Sequence, residues 1–300
     1  MSANVWNQLN ARRYQPSLPL PPGFDKESIL KTLASLSIDG SATGELKGYA
    51  TADCERFLHT LALIPENAEG ELLEIGSNPY FTTLLLMYFR PKLSLTLVNY
   101  FGGESFESEQ VLEYVGFDGQ FHRQTLKYLN CNTETTPLPF EKHRFDWVIY
   151  CEVLEHMTQD PARVLLELKR VMKEGAQMVL TTPNAARLEN VVAFIEGRNI
   201  YDPYSGYGPY GRHNREYTRH ELHQLMVHCG FENAASFTAN VHDDIPGVTP
   251  ESMLQPVLLN IPNREHDLGQ YLFSKWLNTG NASSLKPSWL YRSYPADALD

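Results

Sequence analysis

Two short stretches of this 300-residue sequence hold most of the side chains suited to chemistry. In Cys151-Glu152-Val153-Leu154-Glu155-His156, two carboxylates and an imidazole recur at spacings of three and four. If the chain turns helical after Cys151, such spacings stack side chains on one face, and Glu152, Glu155 and His156 then make half of an oxygen-rich divalent-cation site. The second stretch, Glu74-Ile75-Gly76-Ser77-Asn78-Pro79-Tyr80, closes an apolar run and opens a helical one. At the carboxyl end of a parallel strand such a turn offers backbone amides to a ligand. It has one glycine and so lacks a dinucleotide fingerprint; the alternative is an ordinary strand-to-helix turn. Further on, Tyr201, Tyr204, Tyr207 and Tyr210 are spaced by three among glycines. They could stack on a sugar ring, wall an acceptor pocket, or simply order a long loop.

These residues need a frame. ELLEIG, LSLTLVNY, FDWVIYC and AQMVLTTP are short apolar runs alternating with amphipathic stretches, as a parallel sheet buried on both faces requires. The fold class is therefore α/β. The clearest helix is 161–172, with Asp160 as N-cap, Pro161 in the first turn and a stripe of Val164, Leu165, Leu168, Val171 and Met172. A strand is expected at 176–182, a long ordered loop at 201–217, a helix over TRHELHQLMVHCGF, a less periodic region at 234–264 and a strand at GQYLFSKWL. Upstream, a proline-rich arm (1–24) precedes two helical stretches within 26–64, which read as a cap or lid.

Composition narrows the classes. Hydrophobic residues are 42% and charged residues 20%, ordinary for a folded chain with a sizeable core. The net charge of −11 gives no long-range attraction to phosphate backbones, so nucleic acid is a disfavoured partner. No apolar run reaches membrane-spanning length and the first twenty residues lack a signal-peptide pattern, so membrane insertion is not expected and the cytoplasm is the default location. Cys54, Cys131, Cys151 and Cys229 stand singly, which suits buried thiols in a reducing compartment.

Taken together, LLEIGSNPYFT, NTETTPLPFEKHRFDWVIYCEVLEHM and LKRVMKEGAQMVLTTPN resemble the class I S-adenosylmethionine-dependent methyltransferases in order and spacing. LPF…FDWVIYCEVLEH and GAQMVLTTPN look most like members that methylate hydroxyls of sugars and glycosylated metabolites; GPYGRHNREYTRHEL and DLGQYLF extend the likeness to most of the chain after residue 45. The resemblance implies a Rossmann-like sheet of seven strands, six parallel and the last antiparallel, with residues 1–64 as arm and helical cap, 65–300 as the methyltransferase domain, an acceptor-site loop at 198–219 and a C-terminal extension.

It also implies roles. Glu74 and Gly76 would flank the methionine part of the cofactor, followed by Ser77 and Asn78. Asn99 stands where an acidic residue usually holds the ribose hydroxyls. Asn132 and Thr133 would border the adenine, and Cys151 would present its backbone to the methionine end. His213-Asn214-Arg215-Glu216-Tyr217-Thr218-Arg219 is similar to a motif of the small-RNA 3′-end 2′-O-methyltransferases, whose histidine joins a Glu-x-x-Glu-His set in binding magnesium. Carried over, that gives Glu152, Glu155, His156 and His213 as ligands of Mg or Mn, acidifying the hydroxyl of a diol; the second histidine of that RNA family's motif is absent. Without a metal, His213 or His156 becomes the candidate general base, with Glu152 beside it.

The expected function is methyl transfer from S-adenosylmethionine to a hydroxyl of a sugar-containing metabolite or glycan precursor; a homo-oligomer is compatible with it. Two alternatives stay open: an RNA ribose or another atom as acceptor, and a non-catalytic partner protein whose cofactor loop has decayed. The single glycine of the 76–80 turn and the amide at Asn99 are the features that would mark such decay.

Overall fold

The computed structural model describes residues 17–40, 43–242, 257, 260, 261, 264 and 266–300, so the start of the proline-rich arm and much of the aperiodic 234–264 region lie outside the described residues. The strands, in chain order, are β1 (Ser37–Ile38), β2 (Gly70–Ile75), β3 (Leu93–Asn99), β4 (Phe106–Val115), β5 (Phe121–Asn130), β6 (Phe145–Cys151), β7 (Met172–Pro183), β8 (Glu232–Ala239) and β9 (Tyr271–Leu277). The helices are α1 (Lys26–Leu33), α2 (Thr43–Ala62), α3 (Phe81–Phe89), α4 (Pro161–Val171), α5 (Leu188–Ile195) and α6 (Arg219–His228).

Among the described residues, nine strands form one sheet in the order β1-β4-β5-β3-β2-β6-β7-β9-β8. The expected count of seven is therefore corrected to nine. The extra length comes from β4, which pairs antiparallel with β5 over ten residues, from Phe106↔Asn130 to Val115↔Phe121, and from the short β1 on its outer edge. Parallel pairing joins β5, β3, β2, β6 and β7, whereas β9 runs antiparallel to both β7 and β8.

Alternation along the central strands feeds two cores. Leu72, Leu97, Trp147, Ile149, Val179 and Phe273 face one side, with Ile29, Leu33, Leu58 and Leu85 from the helices. Leu73, Val98, Val148, Tyr150, Met178 and Leu180 face the other, with Leu165, Leu168 and Leu225. Because neither face meets water, both parities must be apolar, which is why these strands read as unbroken runs. The N-terminal helices are not a loose lid: Ile29, Leu33 and Leu58 are fully buried in the sheet's own core.

Helix α4 follows its sequence signals closely. The Asp160 carboxylate accepts from the Arg163 amide, Pro161 occupies the first turn, and the apolar stripe is buried. At the carboxyl ends of the adjacent β3, β2 and β6 the chain opens a crevice, with α3 leaving one side of the sheet and the 152–158 turn the other. Such a switch point is the usual binding place of an open α/β sheet.

Candidate active site

Two connected hollows occupy this crevice, sharing Ile75, Gly76 and Glu152. One runs past Asn99, Tyr100, Cys131, Asn132, Thr133 and Tyr210. The other is lined by Glu74, Ser77, Asn78 and Cys151 together with Tyr49 and Arg56 of α2. Each of the eight residues that the sequence assigns to the cofactor lines one or other of these hollows. Gly76 is at φ 74, a conformation that favours glycine, and an added Cβ would lie 2.6 Å from the Val153 side chain.

Their side chains are used unequally. The Asn99 amide oxygen accepts from Ser77 Oγ at 3.1 Å and from the Asn78 amide at 2.8 Å, while its Nδ2 donates to Tyr80 Oη at 3.1 Å. Asn99 therefore staples β3 to the turn after β2. Both lone pairs of its oxygen are engaged, so no acceptor of this side chain is free toward the cleft. Glu74 is buried and accepts from Thr83 Oγ1 at 2.7 Å; burial pushes its pKa up to about 8. Burial likewise raises the Cys151 thiol to about 12, leaving it an inert wall.

Sequence reasoning missed Arg56. Its guanidinium is 5% exposed, donates to Asp53 Oδ1 at 2.8 Å and Tyr49 Oη at 2.6 Å, and approaches Glu152 Oε1 at 3.9 Å. Burial opposes its charge, but Glu152, Tyr49 and Asp53 keep it firmly protonated. On sequence alone an arginine in an amphipathic helix reads as a solvated residue.

The expectation that Glu152 and Glu155 share a helical face is corrected. Glu152 is in the left-handed region at φ 55, its amide bonded to the Thr181 carbonyl and its Oε1 accepting from Thr181 Oγ1 at 2.8 Å; only Leu154–His156 form a single 3-10 turn. Glu152 consequently leans toward Arg56. Among the described residues, the group whose ligand atoms lie within 4.8 Å of one another is Glu155, His156 and His213, without Glu152.

Within that group the bonding is directional. The Glu155 side chain is wholly buried; Oε2 accepts from Thr182 Oγ1 at 2.8 Å, whereas Oε1 has no hydrogen-bond partner among the described residues and lies 3.7 Å from His156 Nε2. Burial and the neighbouring Glu152 carboxylate push its pKa up to about 8. His156 Nδ1 meets the Arg212 carbonyl at 2.9 Å, so this nitrogen carries the proton and Nε2 keeps its lone pair. His213 Nδ1 meets Glu216 Oε1 at 3.1 Å, and Arg187 holds the other Glu216 oxygen. Burial lowers the His156 pKa, aided by His213. In His213 burial acts the same way but is outweighed by Glu216, Glu155 and Asp202, which raise it. Two imidazoles with Nδ1 fixed by oxygen acceptors and Nε2 available, beside a carboxylate oxygen lacking a partner, suit either a proton-transfer centre or a divalent cation.

The four tyrosines separate. Tyr201, Tyr204 and Tyr207 are exposed, whereas Tyr210 is half-buried and lines the first of the two hollows.

A family described as a methyltransferase domain matches residues 46–236. No curated protein matches the chain. Among solved structures, a Bacillus halodurans C-125 protein assigned as a methyltransferase is similar at 15% identity over 74% of this chain and 98% of its own, with a TM-score of 0.44. The Burkholderia thailandensis 1,6-didemethyltoxoflavin-N1-methyltransferase, solved with its substrate and S-adenosylhomocysteine, is 14% identical over 75% and 76%, TM-score 0.41. The [4+2]-cyclase SpnF is 13% identical over 79% and 84%, TM-score 0.44. The family match spans more than half of the chain and the cleft lies within it: the protein belongs to the S-adenosylmethionine-dependent methyltransferases.

Proposed function

We propose that this protein methylates a hydroxyl of a sugar-containing metabolite or glycan precursor. The observation that carries the reading is the Glu155, His156 and His213 group beside the cofactor cleft, with His213 oriented by Glu216. An alcohol must lose its proton as it is alkylated, whereas a neutral amine already has its nucleophilic lone pair; a fixed imidazole is the group an alcohol needs.

The cleft fits S-adenosylmethionine by its donor set. Arg56 and Tyr49 line one hollow and would offer donors to the carboxylate end, and Asn132, Thr133 and Cys131 line the other and would border the nucleoside. The bound cofactor supplies an electrophilic methyl group on a sulfonium sulfur. The chain aligns the acceptor oxygen with that methyl. His213 Nε2 would take the proton of the acceptor hydroxyl as that oxygen is methylated. Glu216 steadies the imidazolium that results, and Glu152, between the two hollows, borders the reacting centre.

A second reading is favoured by the partnerless Glu155 oxygen. Glu155, His156 and His213 would hold Mg or Mn, with Glu152 outside the group, and the ion would supply Lewis-acid polarisation of a hydroxyl pair. The net charge of −11 supports a small or glycan acceptor over RNA, and the single cysteines support a cytoplasmic setting. Incubation with methyl-labelled S-adenosylmethionine and a panel of nucleotide sugars and glycosides tests the reading. A labelled methyl ether lost in His213→Ala supports it; label on nitrogen or on RNA refutes it.

A further inference from the structure

The loop that brings His213 to the site also reaches back into the nucleoside end of the cleft. Tyr210 is the residue of that loop lining this hollow, together with Asn132 and Thr133. Its ring meets Tyr100, from the end of β3, edge-to-face at 5.5 Å and 87°. Its hydroxyl donates at 2.9 Å to Glu134 Oε2. Glu134 is buried at 4% exposure and is itself fixed by the amides of Thr158, Gln159 and Asp160 at 2.6–3.1 Å.

A few residues later the same strand of chain is tied to the acceptor group. The Arg212 carbonyl orients His156, and the Asn214 and Arg215 amides donate to the Glu155 carbonyl at 2.7 and 3.1 Å. Between Ser205 and Gly211 the loop holds itself by two turn bonds and by Tyr207 N to Ser205 Oγ, with Tyr204 and Tyr207 in solvent. Segment 209–215 therefore spans two anchors, one at the nucleoside and one at the acceptor.

We propose that Tyr210 is a cofactor-contacting wall lent by the acceptor loop, and that through it occupation of the nucleoside slot steadies the loop carrying His213. The proposal rests on the methyltransferase reading. A purine beside Tyr210 gives the ring a contact surface that the Tyr100 edge alone does not, and an aromatic pair of this kind is worth about a three- to tenfold change in affinity.

The test is calorimetric titration with S-adenosylhomocysteine, with amide hydrogen exchange across 203–214 with and without it. In the unaltered protein we expect binding accompanied by slower exchange in that segment. Tyr210→Ala should bind about tenfold more weakly and lose the added protection. Tyr210→Phe, which keeps the ring but not the Glu134 bond, should keep most of the affinity and lose part of the protection. Tyr207→Ala, at an exposed position, should bind S-adenosylhomocysteine as the unaltered protein does. Unaltered affinity in Tyr210→Ala, or binding without protection of 203–214 in the unaltered protein, overturns the inference alone. No binding by the unaltered protein overturns the methyltransferase reading and this inference with it.

Discussion

The proposed cofactor cleft and the proposed acceptor group lie side by side but are built differently. The cleft is made from strand ends and from the backbone of the turns that follow them, so sheet register alone puts Gly76, Asn99 and Cys151 together. The acceptor group is assembled from a one-turn helix and a long loop, held by Glu216, Thr182 and carbonyl oxygens. A site defined by backbone tolerates side-chain change. A site defined by side chains cannot, and substitutions should separate the two.

The largest separation should come from His213→Ala. Methyl transfer to an acceptor found by screening should fall by about 100-fold or more, the range of a lost general base, with S-adenosylhomocysteine affinity within about twofold of normal. Equal losses of both would dissolve the distinction. Gly76→Val should do the reverse at its source, because a branched side chain at positive φ must displace Val153. Cofactor affinity should drop by about 30-fold or more, read by calorimetry, with the fold retained by circular dichroism.

Next is the pH profile. His213 must be neutral to act as a base, and Glu216 raises its pKa above the ordinary imidazole value, so kcat/KM should rise with pH along a limb placed above about 6.5. Glu216→Gln should move that limb to lower pH and reduce the plateau several-fold. If a divalent ion is used, its affinity should rise with pH as Glu155 loses its proton, and Glu155→Gln should abolish a Mn heat signal while leaving the S-adenosylhomocysteine signal in place.

The smallest effect concerns stability. Glu74 has a folded pKa of about 8 against a reference value of 4.5. Between these values the folded state keeps a proton that the unfolded state releases, so stability is greatest at the acidic end and declines as pH rises. Glu74→Gln should flatten Tm between pH 5 and 8 by a few degrees, about what one to two kcal/mol gives a chain of this size. A steeper decline in the variant would contradict the burial account.

What was legible in the sequence follows the same division. Runs such as FDWVIYC and AQMVLTTP announce strands buried on both faces, and α4 announces itself by cap, proline and stripe. The β4–β5 hairpin escaped although its signal is present, an Asp118-Gly119 turn with Gly119 at φ 74 between alternating strands. Its outer face, with Glu107, Glu109, Glu113, Arg123 and Lys127, is polar, so it lacks the apolar runs that marked the other strands. Glu152, Glu155 and His156 stand out in the sequence by type and spacing and His213 by resemblance, but their geometry is not legible there. A spacing of three places Glu152 and Glu155 together only in a helix, and Glu152 is turned away by Thr181, 29 residues distant in sequence. Arg56 has a local partner in Asp53, three residues away in the same helix, but such a pair reads as a solvated helix face, and Glu152 becomes its neighbour only on folding.

The most direct measurement is a calorimetric titration of the unaltered protein and of Gly76→Val with S-adenosylhomocysteine. Micromolar binding by the first and weak or undetectable binding by the second is the result predicted for a cofactor cleft centred on the turn after β2. Absence of heat in the unaltered protein, or equal binding by both, would contradict it.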